Sequence, residues 1–446
     1  MSDMLSIGAS GVRAYQTALT TVSENIANAG NTNYARRTAN LKEVIATSAT
    51  SGSSITGLGV VANGVVRQGD DLRAGDVRNA GADLAKTEAG ATWLERIEGA
   101  LTGNQLGDRL TSFFNNATAV AADPSALAPR ATMLESAASL ATAFSSTSDA
   151  LAGAAADLDA TAEAAVGNLN SLLSGLAKIN SAIGRTPQGT SGSAALMDQR
   201  DQILGAMSAI TDVSVSLDVN GRATVRAGGD GGPVLVRGDQ AATITYVQND
   251  EGAMSFAVHG NGETQVMTPM GGALAGMAEG AQRIAAAREQ LDAMATSFVD
   301  GVNAVQAGGV DLSGNSGAPM FEAGDPPSQI KMVLTDPRGI AAASTGGGSR
   351  DNSNLANLTA LRSSGGYETG LTDLVSTNAA ALSARRTVAS AQTAIRDSAV
   401  AAHASATGVN VDEEAVDLIR FQQAYQASSR VIQIARETLQ SILDIR

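Results

Sequence analysis

The chain has 446 residues, with 30 basic against 44 acidic side chains for a net charge of −14, no cysteine, two histidines and 13 aromatic residues. Disulfide frameworks, thiolate metal sites and cysteine nucleophiles are excluded, a multi-histidine metal centre lacks ligands, and the negative charge makes nucleic acid and anionic membrane surfaces poor partners. Abundant alanine with 48 glycines and only 9 prolines suits long, closely packed helices with glycine-rich connections.

The first twenty residues hold one acid and one base, Asp3 and Arg13. They contain neither a basic n-region nor an apolar h-region, so no cleaved signal peptide is expected. No run of about 18 apolar residues follows, and no membrane-spanning helix is expected. Leu5, Val12, Leu19 and Ile26 are spaced by seven, with Gly8, Tyr15 and Val22 three residues after the first three. This heptad predicts a coiled-coil seam on a helix of about 25 residues, closed where residues 29–33 supply Gly and Asn. Residues 41–82 read as irregular and glycine-rich, with short apolar pieces at Val60-Val61 and Val65-Val66. A helix is expected from Leu84 to about Ala100. From Met133 to Ile183 apolar positions keep steps of three and four, which predicts a rod-like helix of about fifty residues. Between 213 and 268 the character changes. Val213, Val215 and Leu217 alternate with polar neighbours, Asn220-Gly221 is a hairpin signal, and residues 243–247 read as a strand. Met277, Ile284, Leu291, Phe298 and Val305 restore the seven-residue step, and 308–366 reads mostly as loop. At the other end Leu418, Tyr425, Ile432 and Leu439 repeat by seven, with Phe421, Ser428, Ala435 and Ile442 three later. The acidic start at Asp412-Glu413-Glu414 suits a helix N-terminus.

The fold expected is mainly α with a small β-domain inserted mid-chain, elongated, its N- and C-terminal helices paired as a coiled-coil bundle. The boundaries are 1–40 for the first terminal helix, 41–212 for the first half of a helical rod and 213–270 for the β-domain. The second half of the rod then spans 271–408, and the last terminal helix 409–446. Residues near 84–184 are expected against 275–305 and 370–400, with the β-domain away from the termini.

Enzyme motifs fail where the chemistry needs a particular residue. Gly229-Asp230-Gly231-Gly232-Pro233 has glycine where a serine nucleophile would stand. Asp311, Ser313, Asn315 and Glu322 keep a calcium-loop spacing, yet Ser316 occupies the place of its obligatory glycine. Gly57-Leu58-Gly59 lacks the third glycine of a dinucleotide site, and no Walker lysine follows a glycine-rich loop. No catalytic, metal-binding or cofactor-binding residue is assigned, and no cofactor is expected.

The segment Asn25-Ile26-Ala27-Asn28-Ala29-Gly30-Asn31-Thr32-Asn33-Tyr34, followed by Arg36, resembles the N-terminal motif of the flagellar axial proteins of rod, hook and junction. Asn33 alone stands where that family usually has Pro or Gly between Thr and Tyr. Residues 408–414 and 418–428, ending Phe421-Gln422-Gln423-Ala424-Tyr425-Gln426-Ala427-Ser428, are similar to the C-terminus of the hook-associated proteins that join hook to filament. Three internal segments extend the resemblance: Leu110 to Asn116 with Pro124, Arg130 and Leu134; Leu196-Met197-Asp198-Gln199-Arg200-Asp201; and Asp311 to Asn315.

The resemblance implies a structural protein exported unfolded by the flagellar type III apparatus. It implies an extracellular place at the hook–filament junction, as a ring of protomers between the hook protein and a second junction protein, after delivery by an export chaperone. Subunit assembly is assigned to Leu5, Val12, Tyr15, Leu19, Val22, Ile26, Asn28 and Tyr34. Assembly and chaperone binding are assigned to Leu418, Phe421, Tyr425, Ile432, Leu439 and Ile442. On the residues alone, the same heptads fit intramolecular packing. A hook or rod component of the same class is the alternative, followed by a flagellum-attached adhesin or cell-wall enzyme. The enzyme would need a converging acid/base pair in a cleft; the adhesin would need a binding surface on the β-domain.

Overall fold

The structure, a computed structural model, describes residues 2–45, 57–249 and 252–444. Helix α1 (Ser2–Ala27) ends in a series of turns through residue 34. An antiparallel hairpin of β1 (Arg37–Ile45) and β2 (Gly57–Arg67) follows, and then α2 (Asp71–Gly103), capped by Asp70 accepting from the Arg73 N–H. The expectation of an irregular 41–82 is therefore corrected for its described residues; 46–56 lie outside them. Two register shifts break the alternation of the hairpin, and Gly64 is one source. It has φ +109° and lies so close to the chain at 189 that a Cβ would sit 2.6 Å from the Gly189 carbonyl oxygen. Only glycine fits that approach. The opening of α2 escapes detection because its first buried residue is Ala82, so no apolar period marks the preceding turns.

Helices α3 (Leu106–Ala122), α4 (Leu127–Arg185) and α5 (Ser191–Ile210) complete the outward path. At 59 residues, α4 is about 88 Å long. The β region is two antiparallel meanders. The first is β3 (Val213–Leu217), β4 (Ala223–Ala227), β5 (Val234–Arg237) and β6 (Gln240–Ala241); the second is β7 (Thr243–Gln248), β8 (Met254–Gly260) and β9 (Glu263–Met267). The chain returns along α6 (Gly272–Ala307). Residues 308–354 are mostly loop, held by two short ladders that pair 309–310 with 343–344 and 321–322 with 331–332. The short α7 (Leu355–Gly365) follows, a helix the loop expectation missed because it buries only Leu355 and Leu358. Helices α8 (Tyr367–Thr407) and α9 (Val411–Asp444) end the chain.

Outgoing and returning helices pack side by side, as the heptads predict. Gly280 of α6 lets that helix close on α2, where a Cβ would lie 2.7 Å from Trp93 Cδ1. Asn378 of α8 donates to the Leu94 carbonyl, and Arg386 pairs with Glu95. Six of the few aromatic residues gather at one end: Phe113, Phe114, Phe144, Phe298, Phe321 and Tyr367, with Phe113 and Phe298 centroids 5.5 Å apart. Elsewhere the core is mostly Leu, Ala, Val, Ile and Met, with Trp93 and Phe256.

The β region is fastened to α4 by two asparagines acting as surrogate strand partners. Asn180, fully buried, accepts from Ala223 N–H and donates to the Ala223 and Gly238 carbonyls. Asn170 does the same for both backbone groups of Ile244. Because Asn180 sits near the C-terminal end of α4, the β3–β4 turn is carried toward the terminal hairpin. Residues 218–221 face Val65 and Val66 across a cleft of about 430 Å³. The cleft is lined by no residue of 1–40 or 409–446.

Candidate assembly site at the terminal helix pair

Helices α1 and α9 run antiparallel. Gly8 faces Ile432 and Ser428, Gly11 faces Ser428, the Tyr15 and Phe421 rings are 6.4 Å apart, and Asn25 reaches Glu414. The buried line of α1 is Gly11, Ala14, Ala18, Thr21 and Asn25, with Val22 beside it. It keeps steps of three and four but lies about one residue from the seam read in the sequence. Leu5, Val12, Tyr15, Leu19, Ile26 and Asn28 are only half-buried, and the seam expectation is corrected on that point. Small residues win the centre because α1 packs against α9 and against the β1–β2 hairpin at once, and two neighbours can close on one helix only where side chains are short. On α9, Leu418, Phe421, Tyr425 and Ile432 are half-buried, while Leu439 and Ile442 are 40% and 50% exposed.

Gly8 fixes the spacing. A Cβ there would lie 2.7 Å from Ile432 Cγ1 and 3.3 Å from the Ser428 carbonyl oxygen. Gly8→Leu should therefore push the helices apart and cost about 1–3 kcal/mol, the usual range for overpacking. Faster amide exchange in residues 4–27 and 414–435, with the rod unchanged, is the expected readout.

A polar network joins the N-terminal motif, the start of α9 and the rod. Asn25, 1% exposed, makes four hydrogen bonds. Its Oδ1 accepts from Tyr34 Oη at 2.8 Å and Arg37 N at 3.0 Å; its Nδ2 donates to the Arg37 carbonyl at 2.7 Å and Glu414 Oε2 at 2.9 Å. Arg36 donates to Glu414 Oε1 at 2.6 Å, and its N–H reaches the Thr407 carbonyl. The guanidinium of Arg37 stacks 4.5 Å over the Tyr34 ring and pairs with Asp198 of α5 at 2.9 Å. Arg67 at the end of β2 bridges Asp198 and Asp201, both at 2.7 Å, and Arg200 takes the second oxygen of Asp201. Hydrogen bonds between two charged groups at these distances are about twice as strong as neutral ones.

Burial, opposed by the Arg37 charge, pushes the Tyr34 hydroxyl from its ordinary 10.0 up to about 12. A phenol whose folded pKa is raised contributes stability that is complete below pH 10 and lost as pH climbs toward 12. Amide protection around residues 25–37 should fall across that window, and Tyr34→Phe should remove the step.

Of the residues read from sequence, Tyr34 lies at the centre of this network, and the apolar positions flank it. Asn25, Arg36, Arg37, Arg67, Asp198, Asp201 and Glu414 were missed as site residues. Most lie inside or next to segments that carry the family resemblance, but hydrophobic period is blind to polar side chains. Glu414, read as part of an acidic helix start, turns inward, 1% exposed. Among the described residues no group of three or more His, Asp or Glu is placed to hold a metal ion, and no helix is long and apolar enough to cross a membrane.

The ends of the chain thus close on each other and clamp a long helical rod, the architecture of a structural subunit. The chain belongs to the family of the flagellar hook-associated protein FlgK: the sequence model of that family's helical domain matches residues 92–321. The model of the flagellar basal body rod FlgEFG protein C-terminal region matches residues 402–445. Flagellar hook-associated protein 1 of Bacillus subtilis is 26% identical over 493 aligned positions, covering 97% of this chain and 96% of that one. The Salmonella typhimurium and Escherichia coli proteins of the same name are 27% and 25% identical over 73% of this chain. This chain spans about 60% of their length. The solved flagellar hook junction protein FlgK of Burkholderia pseudomallei is 24% identical, with a TM-score of 0.49, over 56% of this chain and 47% of that one.

Proposed function

We propose that this protein forms the junction between hook and filament as a ring of protomers, seated on the hook protein and followed by a second junction protein. The family match across 92–321 carries the reading. The protein travels unfolded through the flagellar export apparatus, an export chaperone holds its C-terminal helix until then, and its final place is extracellular. The apolar side chains left on α9 support this. Val416, Ile419 and Ile434 are 67%, 56% and 56% exposed, and Leu439 and Ile442 extend the set. A free monomer has no use for them, and a ring buries them. The function is structural, not enzymatic.

A non-polar deletion strain viewed by electron microscopy tests the proposal. Hooks without filaments, with flagellin shed into the medium, are expected. Normal filaments would overturn it, and loss of the hooks themselves would favour a hook or rod component.

Substitutions on the two helices separate delivery from assembly. Leu19→Asp and Leu439→Asp place charge on half-buried and exposed positions, so both monomers should fold. In the ring the charge would be buried unpaired at every protomer, a cost of several kcal/mol each time. Neither variant should restore filaments. Leu19→Asp should still bind the chaperone in a pull-down, and Leu439→Asp should not.

A further inference from the structure

A cleft of about 380 Å³ opens where the N-terminal motif, the first turns of α2, the middle of α5 and the last turns of α8 meet. Tyr34, Val77, Arg78, Asp201, Val400 and His403 are among its lining residues. The two aspartates at its wall, Asp198 and Asp201, have each carboxylate oxygen taken by a guanidinium of Arg37, Arg67 or Arg200. Asp70 at the rim is committed to Arg73, by side chain and by backbone N–H. Arg78 is left over. Among the described residues its guanidinium makes no hydrogen bond and no ion pair, and the imidazole of His403 makes none either.

Arg37, Arg67 and Arg200 thus share the two carboxylates by direct hydrogen bonds, and Arg78 meets the charges of Asp201 and Asp71 without one. Glu24, 3.4 Å from Arg37, pairs with Arg37 alone among these guanidiniums. Burial lowers the pKa of Arg78 and the Arg200 charge adds to the shift, while Asp201 and Asp71 oppose it. Burial likewise lowers that of His403, against the charges of Asp201 and Asp70, and so favours the neutral ring, which has one N–H to donate. The Arg78 guanidinium, half-buried beside Val77 and Val400, is without a direct hydrogen-bond partner in the free subunit. It is the arrangement expected of a group whose partner comes from outside.

We propose that this cleft receives an acidic side chain from a neighbouring copy of the protein, its carboxylate held by Arg78 and His403. The proposal rests on the ring described above and names a contact within it. Charge complementarity selects the occupant, because a chain with 44 acidic against 30 basic residues offers carboxylates on most of its surface. Val400, 44% exposed at the cleft, and Ile395, 60% exposed further along α8, supply apolar surface for the segment that carries the carboxylate.

The experiment uses the full chain with Arg78→Met and His403→Gln, separately, in the deletion strain and as purified monomers. Arg78→Met is expected to melt at or above the wild-type temperature, since it removes an unpaired charge, and yet to restore filaments on less than a tenth of hooks. His403→Gln, which keeps a donor, is expected to restore them partly. Failure of the wild-type gene itself to restore filaments would count against the junction reading and not against the cleft. Normal filaments with Arg78→Met would overturn the proposal, as would a melting temperature several degrees below wild type, which would mark Arg78 as a structural residue. Sodium acetate serves as a free-anion probe. Acetate that raises the wild-type but not the Arg78→Met melting temperature supports carboxylate recognition when filaments are also lost; the same rise with normal filaments would assign the cleft to a soluble anion and overturn the neighbouring-copy contact.

Discussion

Asp198→Ala should destabilise the fold by about 3–5 kcal/mol, the usual cost of removing one partner from a buried ion pair. The aspartate holds Arg37 at 2.9 Å and Arg67 at 2.7 Å, and those side chains are only 8% and 13% exposed. Without it Arg37 retains Glu24 at 3.4 Å and Arg67 retains Asp201. Both guanidiniums then face a partly apolar wall with half their partners gone. The loss should concentrate where the network lies. Hydrogen exchange is expected to accelerate in residues 34–37, 65–67 and 196–202, with the aromatic cluster around Phe113 and Phe298 unaffected. A uniform loss of protection along the rod would show that Asp198 supports α5 itself and not the attachment of the termini to it. Asp198→Asn should recover part of the stability, since one amide oxygen can still accept from Arg67.

Asn25→Ala should cost about 2–4 kcal/mol, because four buried hydrogen bonds lose one partner each and an unsatisfied buried polar group costs on the order of 1–3 kcal/mol. The Tyr34 hydroxyl, both backbone groups of Arg37 and one oxygen of Glu414 are the groups left behind. Glu414 keeps Arg36 at 2.6 Å, so the start of α9 should stay near the motif while the hairpin loosens. Asn25→Asp should be worse, since it sets a carboxylate against Glu414 with no donor between them. Denaturant titration, followed by exchange at residues 21–37, measures both. Equal stability of Asn25→Asp and wild type would contradict the hydrogen-bond assignment.

Sequence reading recovered what repeats. The seven-residue steps of Met277 through Val305 and the alternation of Val213, Val215 and Leu217 became α6 and β3 because those apolar side chains are the ones that pack on the core. It failed where small residues take the buried positions or nothing apolar is buried. On α1 the largest apolar residues drew the seam through Leu5, Val12, Leu19 and Ile26, but the double contact with α9 and the hairpin favours Gly11, Ala14 and Ala18. On α2 nothing apolar is buried before Ala82, so the first three turns left no pattern. In the hairpin, Gly64 and the two register shifts erased the period of two. The polar network was present in the letters only through resemblance. No spacing rule brings Asn25, Asp198 and Glu414 together; a fold that sends the chain out along α4 and back along α8 does.

A protein that forms the hook–filament junction binds one place, the end of the hook. Hooks isolated from the deletion strain, incubated with purified, gold-labelled protein and viewed by negative-stain electron microscopy, test it most directly. Label confined to the distal tip of each hook, with Leu19→Asp protein giving none, is the predicted result. Label distributed along the hook, or absent while filaments still grow on those hooks, would contradict it.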